Sequence, residues 1–105
     1  MSSSNDVFRA LADETRRDIL RLLRNGPLTS GQIAERFDSS WPTISRHLAV
    51  LRTAGLVVPE RHGQEIEYEL NTSVFQDVIQ HLIDWTRPTH RAARRRPARI
   101  RDQEA

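Results

Sequence analysis

Cysteine is absent from the 105 residues. That absence excludes a disulfide framework, a thiolate metal site and a cysteine nucleophile. Lysine is absent as well, so all sixteen basic residues are Arg. The guanidinium fork donates two hydrogen bonds at once to phosphate or guanine. GC-rich codon usage also produces all-Arg chains, so the positions of the charges, not their number, must carry any case for nucleic-acid binding. No apolar run approaches the ~20 residues that span a bilayer. Met1-Ser2-Ser3-Ser4-Asn5-Asp6 has neither the basic nor the apolar segment of a secretory signal, and a soluble, cytoplasmic protein is expected. There is no Gly-rich phosphate loop, His47, His62, His81 and His90 are scattered, and no carboxylate pair falls in an evident cleft. Enzyme activity is therefore not expected.

The length leaves room for one domain and a tail. So small a domain buries only roughly 60–65% of the surface its unfolded chain exposes, which makes a second copy that covers more apolar surface a large gain. The formal net charge of +2 hides an asymmetry. Residues 1–86 hold 9 Arg against 12 Asp and Glu, whereas residues 87–105 hold 7 Arg against 2 acids. Apolar content almost vanishes at the same point. The expected organisation is a folded unit over 1–86 followed by an Arg-rich, flexible tail over 87–105.

Along the folded unit, Val7, Phe8, Ala10 and Leu11 predict a short amphipathic helix. Asp13 is placed to cap a second helix carrying Ile19, Leu20, Leu22 and Leu23. Asn25-Gly26-Pro27 ends it, with a left-handed Gly expected at the C-cap. Thr29 or Ser30 caps a third helix with Ile33, Ala34 and Phe37. Ser40 caps a fourth, with Pro42 in its first turn and Gly55 at its end. Ile44, Leu48 and Leu51 form one inward seam on that helix. The period then changes from 3.6 to 2. Leu56-Val57-Val58, a turn at His62-Gly63-Gln64, and Ile66, Tyr68 and Leu70 alternating with Glu65, Glu67 and Glu69 predict a hairpin with one solvated face. Asn71-Thr72-Ser73 caps a last helix carrying Val74, Phe75, Val78, Ile79, Leu82, Ile83 and Trp85, which Pro88 stops. The predicted fold is mainly α, with about five helices and a two-stranded antiparallel hairpin.

That order is the order of a winged helix-turn-helix, and the residues resemble the ArsR/SmtB family of small bacterial repressors. The likeness is carried by Phe8-Arg9-Ala10-Leu11-Ala12-Asp13-Glu14-Thr15-Arg16-Arg17 with Ile19-Leu20 and Leu22-Leu23, and by Gln32-Ile33-Ala34. It continues through Ser45-Arg46-His47-Leu48 with Leu51, Ala54-Gly55-Leu56-Val57, and Arg61-His62-Gly63-Gln64 with Tyr68 and Leu70-Asn71. It covers roughly residues 6–86 and is nearest to the members without metal ligands. The resemblance implies a homodimer, joined through its first and last helices, that reads an imperfect palindrome in double-stranded DNA.

It also implies that the helix from Ser40 to Ala54 enters the major groove. Thr43, Ser45 and Arg46 then supply donors to base edges, Arg46 as a bidentate partner of guanine. Ser40 either only caps the helix or also reaches a phosphate, and His47 either reaches a phosphate or packs against the wing. Trp41 stands where the family usually has a small or polar residue. It either stacks on a sugar or thymine methyl, or covers the seam between helices. Arg61, His62 and Gln64 flank Gly63 at the wing tip, with Arg61 the expected phosphate or minor-groove contact. The Glu65, Glu67 and Glu69 stripe must face away from phosphates. At 100° per residue the apolar positions of the last helix cover an arc of roughly 180°, wider than a monomer surface needs. Phe75, Ile79, Leu82 and Trp85, with Val7, Phe8 and Leu11, are the candidate dimer interface.

Two other readings are open. Asp77, His81 and Asp84 fall at i, i+4, i+7, a spacing that could bind Zn²⁺, but they lack the family's aspartate–x–histidine pair. A solvated face is the simpler account, and no metal, cofactor or small-molecule ligand is expected. A winged helix can also serve as a protein-interaction module. Arg46 and Arg61, basic groups on both elements that should meet DNA, argue against that. In the tail, Arg94-Arg95-Arg96, Arg99 and Arg101 either add sequence-independent phosphate attraction, only solubilise the chain, or continue the last helix past Pro88.

Overall fold

In the computed structural model, which describes residues 4–88, punctuation residues set most element limits. Helix α1 spans Ser4–Leu11. Helix α2, Glu14–Leu22, starts at Asp13, whose carboxylate accepts from the Arg16 backbone N–H at 3.1 Å. A short 3-10 turn, Leu23–Asn25, finishes it. Gly26 follows at φ 133° and ψ 171°, an extended conformation that a side chain would strain, and not the left-handed cap expected. Thr29, not Ser30, caps α3 (Ser30–Ala34), in a reciprocal box with Gln32. That helix is only five residues long, so Phe37 falls in the turn after it, still half-buried.

Helix α4, Trp41–Thr53, starts at Ser40, whose Oγ accepts from the Thr43 N–H, with Pro42 in the first turn. At its other end Leu56 N–H donates to Leu51 O, and Gly55 N–H to Arg52 O. With Gly55 at φ 77° this is a Schellman closure. Strands β2 (Val57–His62) and β3 (Glu65–Leu70) form the wing and lead into α5, Thr72–Thr86. Asn71 occupies the N-cap of α5 but makes no side-chain cap bond, contrary to expectation.

The sheet is larger than the expected two-stranded hairpin. A two-residue strand β1, Leu28–Thr29, pairs antiparallel with β3, Leu28 opposite Tyr68 and Thr29 opposite Glu67, giving the order β1-β3-β2. Two residues carry no period from which a strand can be read; pairing with β3 supplies it.

The core gathers Ala10 from α1, Ile19, Leu20 and Leu23 from α2 and its 3-10 turn, Ile33 from α3 and Ile44, Leu48 and Leu51 from α4, closed by Ala54, Leu56 and Val57. Val7 joins it at 4% exposure. Its side chain packs inside the protomer and not on the outer face proposed for dimer contact. Among the described residues no polar or charged side chain is buried. The polar chemistry of the molecule therefore lies at its surface. Arg94, Arg95, Arg96, Arg99 and Arg101 lie outside the described residues.

Candidate nucleic-acid interface

Because Ile44, Leu48 and Leu51 turn one side of α4 into the core, 100° per residue puts Pro42, Arg46, Ala49 and Thr53 on the side facing away from it. Arg46 is exposed, held only loosely by a 3.5 Å contact from its guanidinium to Thr43 Oγ1. Thr43 also accepts from Ser40 Oγ at 3.0 Å, so Ser40, Thr43 and Arg46 form one chain of polar groups over the first turns. Ser45 is exposed on the flank that faces the wing. Trp41 is 53% exposed and lies over the start of α3, where a Cβ on Gly31 would meet its ring at 3.8 Å. It therefore covers the joint between α3 and α4 and still shows half its surface to solvent.

The wing separates two chemistries by period 2. Arg61 is paired with Ile66, and Pro59 with Tyr68, so Arg61, Ile66 and Tyr68 share one face. Ile66 and Tyr68 line a groove of about 500 Å³ between the wing and α4, completed by Ser30, Trp41, Ser45, Ala49 and Arg52. The other face holds His62 paired with Glu65, and Glu60 paired with Glu67. There His62 Nε2 stands 3.3 Å from Glu67 and 3.9 Å from Glu60. The glutamate stripe thus points away from the groove, and His62 goes with it rather than with Arg61. Gln64 is exposed in the tip turn, beside Gly63 at φ 65°. Arg61 closes over that turn with a 3.3 Å bond to Gly63 O.

Arg52 is absent from the residues singled out by sequence, yet it lines the groove. Its spacing from Trp41, Ser45 and Ala49 is i+11, i+7 and i+3, which places it on their side of the helix and could have identified it. His47 does not lie against the wing. It turns toward the start of α2, its Nδ1 3.2 Å from the Arg16 guanidinium and 3.9 Å from the Asp13 carboxylate. The Arg16 backbone N–H holds the Asp13 carboxyl below its usual range, against a smaller opposing push from burial; the Arg16 charge adds to the lowering, as does His47 when it is protonated.

Helix α5 differs from the rest of the fold. None of its fifteen residues is buried. Val74, Phe75 and Val78 lean on the core, while Ile79, Leu82, Ile83 and Trp85 are 56%, 40%, 40% and 63% exposed. Phe8 of α1 meets Trp85 at 5.6 Å between ring centroids, and Leu11 also packs at the edge of the core. On the polar side, His81 stands edge-on to Trp85 at 5.2 Å, and Asp84 accepts from Gln80 Nε2 at 3.0 Å. Among the described residues no three metal-ligating side chains come together, and no helix is long and apolar enough to cross a membrane.

Residues 13–58 match the family described as bacterial regulatory protein, arsR family. The chain is 48% identical over 81 residues to the transcriptional repressor SdpR of Bacillus subtilis (strain 168), covering 77% of this chain and 90% of that protein. It is 36% identical over 76 residues to the arsenical resistance operon repressor of Staphylococcus aureus, covering 72% and 73% of the two. Among solved structures it is similar to the ArsR-like transcriptional regulator from Rhodococcus sp. RHA1, with a TM-score of 0.71 and 32% identity over 77% of this chain and 76% of that one.

Proposed function

Because the chain belongs to the ArsR family of bacterial regulatory proteins, and so is a DNA-binding transcriptional regulator and not an enzyme, we propose that it is a cytoplasmic repressor acting as a homodimer on a palindromic operator. One observation carries the reading. Arg46 stands on the outward side of α4, Arg52 lines the groove between α4 and the wing, Arg61 shares the wing face that borders this groove, and Glu65, Glu67 and Glu69 are turned to the opposite face. Such sorting by sign favours a polyanion on one side only.

In this reading α4 enters the major groove. Thr43, Ser45 and Arg46 read base edges, with Arg46 on guanine. Ser40 and Trp41 border the backbone at the helix start, and Arg61 and Gln64 at the wing tip reach phosphate or the next minor groove. Phosphate contacts set the register while base contacts specify sequence. The exposed faces of α1 and α5, through Phe8, Leu11, Phe75, Ile79, Leu82 and Trp85, pair two copies. Their recognition helices then lie about one DNA turn apart, ~34 Å, and a dimer so placed blocks polymerase by occupying the promoter. Residues 1–86 form the binding and dimerisation unit, and the Arg-rich stretch 87–105 adds phosphate attraction.

The test is fluorescence anisotropy with DNA from upstream of the protein's own gene against a scrambled duplex, with wild type and Arg46→Ala. Arg46→Ala should lose roughly 1–3 kcal/mol and relax selectivity at one base pair per half-site. Equal affinity and selectivity in both proteins would remove α4 from the reading.

A further inference from the structure

Arg16 does not face the groove, yet its side chain joins three helices. Its Nε donates to Ala10 O at 2.8 Å and Nη2 to Arg9 O at 2.9 Å. These are carbonyls in the last turn of α1; Arg9 O also accepts from the Ala12 N–H at 3.2 Å. Its Nη1 meets His47 Nδ1 on α4 at 3.2 Å. We propose that Arg16 is a positioning residue for DNA binding: its bond to neutral His47 sets α4 against α1, and protonation of His47 releases it. The contact stands by itself; only its consequence for DNA rests on the proposed repressor function.

A guanidinium can only donate. Nδ1 of His47 must therefore offer its lone pair, which makes the ring neutral with its proton on Nε2. A proton on Nδ1 would remove the acceptor and place a second positive charge 3.2 Å from the guanidinium. The Asp13 carboxylate, 3.9 Å away, is then the better partner. The other charged groups near this joint are Arg46 beside His47 on α4, Arg17 on α2, whose Nη1 donates to Leu11 O at 2.8 Å, and Asp6 and Arg9 on α1, which border α4 at Ala49, Val50 and Thr53. The His47 side chain is only 17% exposed, so water does not readily replace a lost partner. His47 lies next to Arg46, and a small rotation of α4 moves every base-reading side chain together. Through α1, the same guanidinium is tied to Phe8 and hence to Trp85 of α5. The link thus connects the proposed dimer face to the recognition helix.

The sign of the pH effect separates this role from a phosphate contact. A histidine touching phosphate would strengthen binding when protonated; a released α4 would weaken it. The experiment uses the full chain with Arg16→Met, His47→Phe and His47→Asn, the last keeping an uncharged acceptor near the place of Nδ1. Arg16→Met and His47→Phe should each weaken operator binding roughly tenfold, and the double variant no more than either. His47→Asn should stay within about twofold of wild type. Wild type should lose affinity as the solution is acidified, because a protonated His47 can no longer accept from Arg16, and His47→Asn should lose less.

Affinity that rises with acidity, or additive losses, would overturn the proposal. A DNA-free measurement guards the contact: ring nitrogen NMR of His47 and a thermal double-mutant cycle. An unprotonated Nδ1 with non-additive Tm losses supports the bond, and a protonated Nδ1 or additive losses overturn it. A coupled pair in a wild type that selects no DNA would overturn the DNA-binding reading, and the positioning role with it.

Discussion

Helices α4 and α5 are nearly the same length and both carry many apolar residues, yet they do different work. Three side chains of α4, Ile44, Leu48 and Leu51, are fully buried, Val50 is half-buried at the edge of the core, and its remaining sides are polar or exposed. In α5 none is buried, although Ile79, Leu82, Ile83 and Trp85 lie in its last two turns. The narrow seam of α4 is consumed by one core. The wide face of α5 exceeds what its own protomer covers, and an exposed apolar surface of that kind is what the proposed pairing of two copies would bury. The apolar content of a helix therefore says less about its role than how completely its own protomer covers that content.

Substitutions on the two helices can undo this contrast. In the α4 seam, Leu51→Ala leaves a cavity and should cost about 2–5 kcal/mol, seen as a large fall in Tm by calorimetry, with operator binding impaired only through unfolding. On α5, Leu82→Asp should leave the protomer folded but convert dimer to monomer by sedimentation. Operator affinity should then fall by about a hundredfold or more, because the half-sites no longer bind as one unit. A Leu82→Asp protein that stayed dimeric would refute the assignment of that face.

At the α2 cap, Asp13→Ala should cost about 0.5–1 kcal/mol, toward the low end for a cap because the carboxylate is 38% exposed. Its carboxyl is held below its ordinary value of 3.8. The difference in Tm between wild type and variant should thus be full at neutral pH and hold down to about that ordinary value. It should vanish as acidity passes the lowered folded-state value. The smallest effect is expected at the wing: Arg61→Ala should weaken all duplexes alike and reduce the slope of log affinity against log salt by about 1.

Much of this fold was legible because local rules agreed with the global one. Asp13, Ser40 and Gly55 cap their helices as their residue types require, and the Ile44, Leu48, Leu51 seam is buried as its spacing predicts. What escaped depends on residues distant along the chain. Strand β1 exists only through pairing with β3, and an amphipathic α1 does not disclose that Val7 enters the core while Phe8 turns to Trp85. The partners of the Arg16 side chain lie six, seven and thirty-one positions away. One separation was available in the sequence: Arg61 and His62 are adjacent on a strand and must face opposite ways. Period 2 puts His62 with Glu60, and the hairpin register then adds Glu65 and Glu67 to that face.

Repression as proposed requires two copies that present paired α4 helices to DNA. Selection of binding sites by the intact protein from a random duplex library would decide this. The predicted result is an imperfect palindrome whose half-sites are centred about one helical turn, roughly 10 base pairs, apart. Enrichment of a single unrepeated half-site would contradict the dimer, and absence of any enriched sequence would contradict recognition through α4.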